Sequence, residues 1–526
     1  MKLPVYSVTM SSRNVIIVGA GFGGLTLGAL LARQGMRVRI LEKNEDSGGR
    51  ARAWRSEGFS FDMGPTWYLM PEVFEEFFAL FGRPREELYR LATLDPSYRV
   101  FFGKGEILDI VPDLGKNLQT FERLEPGGSA RLQAYLAEAR HKYEIALKDF
   151  LYRDYTSIFQ FFSRRMLVEG MRLNVFQSLD RYTRRSFADR RARQLLEYHM
   201  VFLGNRPDRA PALYSLMSHA DLNLGVFYPM PTAGSKSAAG PAGRTENYGA
   251  TGAVSGIGAV VQALLELNRW MGVDVLTGQE VDRIEVRNGA AQGVRLKGGG
   301  ELSADLVAVN ADYQHAETQL LASGQRSYGA RYWERRTIAP SMFLIYLGLD
   351  RKLQSVAHHS LYFAEDWNEH FAAITDRPAW PEKPCFYLCS PARTDPGVAP
   401  VGCESLTILV PIAAGLPDTA EIRAAYREKV LDHVEAVIGE RFRNAIRVER
   451  IFTVNDFTAA YHAYKGTALG LAHTLRQTAV FRPAHRSRAV SGLWYTGGYT
   501  HPGIGVPMAF ISSRIVAEEI APRSGR

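Results

Sequence analysis

Three glycines near the N-terminus have the spacing for chemistry. Gly19-x-Gly21-x-x-Gly24 lies between a β-branched run over 15–18 and an apolar helical pattern over 23–34, the strand–turn–helix context in which this spacing binds a dinucleotide. Gly19 permits the tight turn, Gly21 lets the backbone approach a pyrophosphate, and Gly24 lets the helix pack close to the strand, while the helix N-terminus favours phosphate charge. A second strand over 36–41 ends at Glu42, where an acid accepts hydrogen bonds from a ribose and disfavours a 2′-phosphate. That leaves NAD and FAD. Gly48-Gly49-Arg50 follows closely and adds a flexible backbone and a guanidinium for a second approach to the phosphates. The competing reading is an ordinary glycine turn with a solvated arginine.

A second glycine cluster stands at the other end of the chain. "GLWYTGGYTHPGIGVPMAFISSRIVAEEI", 492–520, reads as a short strand over 493–496, a glycine loop, and a helix opened by Pro507 at its first turn, with Phe510, Ile511, Ile515 and Ile520 on its apolar face. A helix N-terminus there places positive dipole charge beside whatever group the loop holds. His501 invites a catalytic role, but its position in the loop suits anchoring, and no proton transfer is assigned to it.

These segments must be brought together by the rest of a 526-residue chain whose 46% apolar content can bury a large core. Cys385, Cys389 and Cys403 are the three cysteines, too few for a disulfide framework and without zinc-site spacing, so core positions in a reducing, cytoplasmic compartment are expected. His358, His359 and His473 are read as structural, and no metal is expected. The first residues show no secretory h-region, and no run of eighteen apolar residues occurs. Between 160 and 195, nine arginines face three acids among large apolar residues. That pattern suits an in-plane membrane helix or, equally, a solvated basic face over an ordinary core. The formal charge of +8 has its most economical home there, which points to a membrane surface and away from nucleic acid. A third segment, 256–312, reads as helix, turn at Gly272 and strands, after a small-residue stretch over 231–255 with the composition of a flexible loop. Strands are expected over 341–349, 385–389 and 406–410, and a helix over 424–438.

The glycine turn, Glu42 and Gly48-Gly49-Arg50 together resemble the FAD-binding signature of the flavoproteins that include amine oxidases, protoporphyrinogen oxidases, Rab GDP-dissociation inhibitors and carotenoid desaturases. "EGFSFDMGPTWY", 57–68, and Thr500-His501-Pro502-Gly503-x-Gly505-x-Pro507 resemble the bacterial phytoene desaturase type in particular. The resemblance runs from 14 to 520. It implies an α/β fold with a Rossmann-like FAD-binding domain assembled from 12–123, 225–312 and 481–526. A helical, basic, membrane-associating domain is inserted at 124–224 and a mixed-sheet substrate domain at 313–480. It also implies that Gly64, Pro65, Thr66, Gly498, Gly505, Val506, Pro507 and Met508 lie at the flavin, and that the Val281 backbone contacts adenine. Gly498-Tyr499 departs from the small residues usual in the pattern.

The implied activity is FAD-dependent desaturation of a long carotenoid, phytoene towards lycopene. A hydride and a proton leave neighbouring carbons, so no strong base is demanded. Related steps remain open: 3,4-desaturation, C30 substrates, isomerisation and saturation. A quinone acceptor and peripheral membrane contact are implied by resemblance, and oligomeric state is left open. Asp154 is the fallback for a catalytic acid, because "FFSRRML" carries arginines where some relatives carry one. An amine oxidase, or a non-redox lipid-binding protein of the GDP-dissociation-inhibitor type, are the competitors. Missing aromatic-pair chemistry argues against the first, and an intact cofactor signature argues against the second.

Overall fold

The computed structural model describes residues 13–103, 105–154, 177–232 and 254–521. Its first sheet has five parallel strands in the order Leu493–Tyr495, Leu306–Val309, Asn14–Val18, Arg37–Leu41, Asp274–Leu276. Three distant stretches of chain therefore build one sheet. The β-branched run at its centre is buried on both faces, as parallel sheets require.

The helix Phe22–Arg33 follows the central strand, and every residue from Phe22 to Leu31 is buried. Its small and apolar surface is covered on two sides. Asn268 of the helix Ile257–Trp270 donates Nδ2 to the carbonyl of Leu25 at 2.9 Å, and Ser513 of the helix Val506–Ile520 donates its hydroxyl to the carbonyl of Gly23 at 2.7 Å. The N-terminus of Ile257–Trp270 is held from afar, since Asp62 accepts from the amides of Ile257 and Gly258. The C-terminal helix starts at Val506 after Gly505, so Pro507 takes the second helical position, one later than expected. Proline remains tolerated there because that amide has no intrahelical partner.

The second sheet has seven strands in the order Ile446–Phe452, Ser341–Leu349, Glu404–Ile412, Phe386–Cys389, His359–Phe363, Tyr98–Phe102, Ile107–Ile110. All nine residues of Ser341–Leu349 are buried. Phe343, Ile345 and Leu347 face the helix Ala420–Ile438, while Met342, Leu344 and Tyr346 pack with Phe59 and Phe61, the two-residue alternation of a strand buried on both sides. The helix begins at Ala420 rather than 424. Its cap, Thr419, accepts from the amide of Ile422, and the first turn is exposed, so apolar spacing alone does not reveal it. Tyr98–Phe102 and Ile107–Ile110 lie within 12–123 yet belong to this sheet, so that stretch serves both sheets.

Of the basic stretch over 160–195, residues 160–176 lie outside the described residues, as do 233–253 of the small-residue stretch. The described part forms two short helices, Leu179–Ser186 and Arg190–Glu197, capped by Ser178 and Asp189. Their arginines are engaged locally: Arg184 pairs with Asp180, and Arg191 pairs with Asp189 and Glu106. Among the described residues no helix is long and apolar enough to cross a membrane.

Candidate active site

A cavity of about 1380 Å³ runs from the carboxyl ends of the parallel strands to the face of the seven-stranded sheet. Of the residues expected on a cofactor, Gly19, Gly21, Glu42, Gly49, Arg50, Gly64, Pro65, Thr66, Val281, Gly498, Gly505, Val506, Pro507 and Met508 all line it. Gly24 does not. It sits behind the turn, where a Cβ would lie 2.0 Å from the carbonyl oxygen of Gly19, the helix-on-strand contact that its place in the spacing requires.

Gly21 and Gly49 face one another at the wall of the cavity, and a Cβ on Gly49 would stand 3.1 Å from the Gly21 Cα. Glu42 accepts at Oε2 from the Ala20 amide and at Oε1 from the Asn44 amide and side chain. Its carboxylate is thus fixed at the end of the second strand. Arg50 lines the same end, and its Nε and Nη2 are buried without a hydrogen-bond partner. Two buried donors left so suit an anion. A side-chain-free cradle, a fixed acid and an arginine with two unmet donors fit the pyrophosphate and ribose of a dinucleotide.

Several residues at this end carry no motif. Asn310, which follows the strand Leu306–Val309, sets Oδ1 3.0 Å from where a Gly21 Cβ would be and donates Nδ2 to the Thr496 carbonyl. Asp312 accepts from the Tyr499 hydroxyl and from the amides of His315 and Tyr464. Burial raises its carboxyl above the ordinary value, and the Tyr499 hydrogen bond opposes that rise. The unusual Tyr499 thus has a partner across the cavity. Arg482 gives its guanidinium to the carbonyls of Gln477, Gly498, Tyr499 and Thr500, which pins the glycine loop, and burial pulls it down to about 10. Only their three-dimensional neighbours give these residues meaning.

The histidines act as anchors. His473 links the Tyr214 hydroxyl to the Ile504 amide, and His501 donates Nε2 to the carbonyls of Phe150 and Leu151. Burial lowers His501 to about 4. Asp154, the fallback acid, does not line the cavity: it lies against Glu519, whose carboxyl is pushed up to about 8 by burial and then by Asp154. The charge of Asp154 also acts on His501, which lines the cavity.

Beyond the glycine cradle the walls are apolar. Leu147, Phe150, Phe202, Leu213, Leu344 and Leu409 contribute, and Leu475 and Phe481 are each 48% exposed where the lining reaches the surface. Among the described residues the lining carboxylates are Glu42, Glu280 and Asp312, all at the nucleotide end. His199 lines the apolar part, with Nε2 3.0 Å from Asp221, which also accepts from Tyr98 and Tyr198.

The model of the flavin containing amine oxidoreductases matches residues 22–521. The chain belongs to that family. It is 43% identical over 512 residues to a carotenoid 3,4-desaturase of Haloarcula japonica, covering 97% of this chain and 98% of that protein. It is 32% identical to a zeta-carotene-forming phytoene desaturase of Myxococcus xanthus, covering 98% and 95%. Among solved structures, an oxidoreductase from Methanosarcina mazei shares the fold with a TM-score of 0.59 at 16% identity, over 96% of this chain and 100% of that one. The family member described here is thus an FAD-dependent oxidoreductase of the kind that acts on CH–CH groups, within the carotenoid desaturase family. The cradle of Gly21, Gly49, Glu42 and Arg50 suits that cofactor.

Proposed function

We propose that this enzyme desaturates a long acyclic carotenoid, with 3,4-desaturation of an already conjugated polyene as the reaction. The supporting observation is 43% identity along nearly the whole of a carotenoid 3,4-desaturase, against 32% to a phytoene desaturase. The expectation of phytoene as substrate therefore yields first place, and becomes the second reading.

Bound FAD supplies two-electron oxidation of a C–H bond. The chain's own residues do the rest. Gly19, Gly21, Gly49, Glu42 and Arg50 hold the nucleotide, while Gly64, Pro65, Thr66 and the N-terminus of Val506–Ile520 bound the place of the ring. Val281 opens the strand beside the adenosine part. The helix end adds positive dipole charge where the ring would accept electrons. Leu344, Leu409, Phe202 and their neighbours exclude water and align the chain, so that orientation contributes most of the rate. Residues 313–480 supply Leu344 and Leu409 of this wall, and 124–224 supply Phe202. The exposed Leu475 and Phe481 on the lining suit contact with a bilayer that holds the substrate, and a quinone there suits the role of electron acceptor.

The test is pigment chromatography after expression in colourless cells supplied with a pathway to phytoene, and in parallel cells supplied with lycopene. New pigments of longer conjugation from lycopene alone support 3,4-desaturation. Coloured products from phytoene favour the second reading. No change in either, with the protein yellow and folded, overturns both.

A further inference from the structure

His359 opens one strand, His358 immediately precedes it, and Cys389 ends the neighbouring strand, where His359 and Cys389 are paired directly across the antiparallel ladder. No sequence spacing links them, and only the register of the sheet makes them a group. All three are buried, and one ring nitrogen from each histidine and the Cys389 Sγ lie within 4.8 Å of one another.

The histidines are oriented as metal ligands are. His358 Nδ1 is 2.7 Å from the Thr394 hydroxyl, and His359 Nδ1 is 2.6 Å from the Tyr387 hydroxyl, which is itself 2.7 Å from the Thr66 hydroxyl. Each Nδ1–H can donate outward to an oxygen, leaving a lone pair on Nε2. Both Nε2 atoms are buried and have no hydrogen-bond partner. An imidazole that binds zinc usually has its other ring nitrogen held by an oxygen in this way.

We propose that His358, His359 and Cys389 bind one zinc ion in the wall between the cavity and the seven-stranded sheet. Two imidazoles and a thiolate are a borderline-soft donor set that suits this ion. Zinc holds its ligand atoms roughly 3.5 Å apart in a tetrahedron, so closure takes about 1 Å of side-chain movement. On binding, the Cys389 thiol releases its proton to solvent and the sulfur–metal bond forms, leaving one positive charge on the centre. Asp62 is the carboxyl whose charge acts most on Cys389. The other buried acid that acts on it, Glu404, is already neutralised by Lys352 and Arg393 at 4.0 and 3.6 Å. Trp67 stacks on His359 at 4.4 Å, and both Trp67 and Tyr387 line the cavity, so the ion would stiffen the wall that positions the substrate without touching it.

The test is metal content of the flavin-bound enzyme by mass spectrometry after dialysis, then titration of chelator-treated enzyme with Zn²⁺ and Co²⁺. The expected result is one equivalent of zinc per chain, a rise in melting temperature on zinc addition, and cobalt d–d bands to the red of the flavin absorption. All are lost in Cys389→Ser and kept in Cys403→Ser, since Cys403 lies outside the group. Zinc retained equally by Cys389→Ser overturns the site. So does wild-type enzyme that holds no zinc and shows neither a cobalt spectrum nor a thermal shift, a result that needs no variant to fold.

Discussion

Gly24 faces the carbonyl oxygen of Gly19 so closely that an added Cβ would stand 2.0 Å away from it. Both groups are backbone, one in the turn and one in the first turn of Phe22–Arg33, and neither can rotate aside. Gly24→Ala must push the helix off the strand, which costs about 1–3 kcal/mol by the scale of overpacked cores. The expected outcome is colourless protein with a lower melting temperature, read from the ratio of flavin to protein absorbance and from a thermal scan. A yellow variant of unchanged stability contradicts the geometry.

Glu42 tests the cradle from the other side. Its carboxylate accepts three hydrogen bonds from Ala20 and Asn44, so Glu42→Ala removes both the ribose acceptor and the partner of these donors. Each buried donor left unmet costs about 1–3 kcal/mol. FAD affinity of the deflavinated protein, measured by calorimetry, is expected to fall by roughly 10- to 100-fold. Glu42→Gln, which keeps one acceptor oxygen, should fall between Glu42→Ala and wild type.

The contrast between these two residues and Asn310, Asp312 or Arg482 shows what sequence could convey. Gly19, Gly21, Gly24 and Glu42 act through local geometry, a turn between a strand and its helix, so their spacing along the chain is their signature. The strands over 15–18, 36–41 and 493–496 were legible for the same reason, because each carries its own apolar run, while their joining into one domain came from the family resemblance. Asp312 gains its role from Tyr499, 187 residues away, and His359 meets Cys389 through strand register. Spacing is silent on both. Asp154 was offered by residue type and sequence neighbourhood, and the fold sets it against Glu519, off the cavity lining.

His370 predicts part of the acid sensitivity. It is buried, donates Nε2 to the Pro411 carbonyl and accepts from the Cys385 amide at Nδ1. Burial lowers it to about 4. In the unfolded chain the ring protonates near 6.5, while in the folded chain it stays neutral to about 4. Its contribution is therefore complete above pH 6.5 and is lost as pH falls towards 4, by about 3 kcal/mol at about 1.4 kcal/mol per pH unit. His370→Gln can keep both hydrogen bonds without titrating. Its melting temperature should fall less than that of wild type between pH 7 and pH 5, and parallel curves would show that His370 does not carry the effect.

Tyr499→Phe isolates the one residue in the C-terminal loop that departs from the family pattern. The ring stays packed against Trp333, 6.0 Å between centroids, and only the hydroxyl that donates to Asp312 is lost. Asp312 is already raised by burial, and the Tyr499 hydrogen bond is the first influence holding it down, so the variant raises it further. A group raised in the folded state contributes stability that is complete at low pH and is lost as pH climbs through the folded value. The penalty of Tyr499→Phe should therefore be larger at pH 8 than at pH 5. At the higher pH it should reach about 1.5–3 kcal/mol, the usual worth of a hydrogen bond to a charged group. Because Asp312 and Tyr499 both line the nucleotide end, FAD retention on gel filtration should weaken with the same pH trend. A penalty independent of pH would mean that the hydroxyl serves packing alone and that the charge on Asp312 does not depend on it.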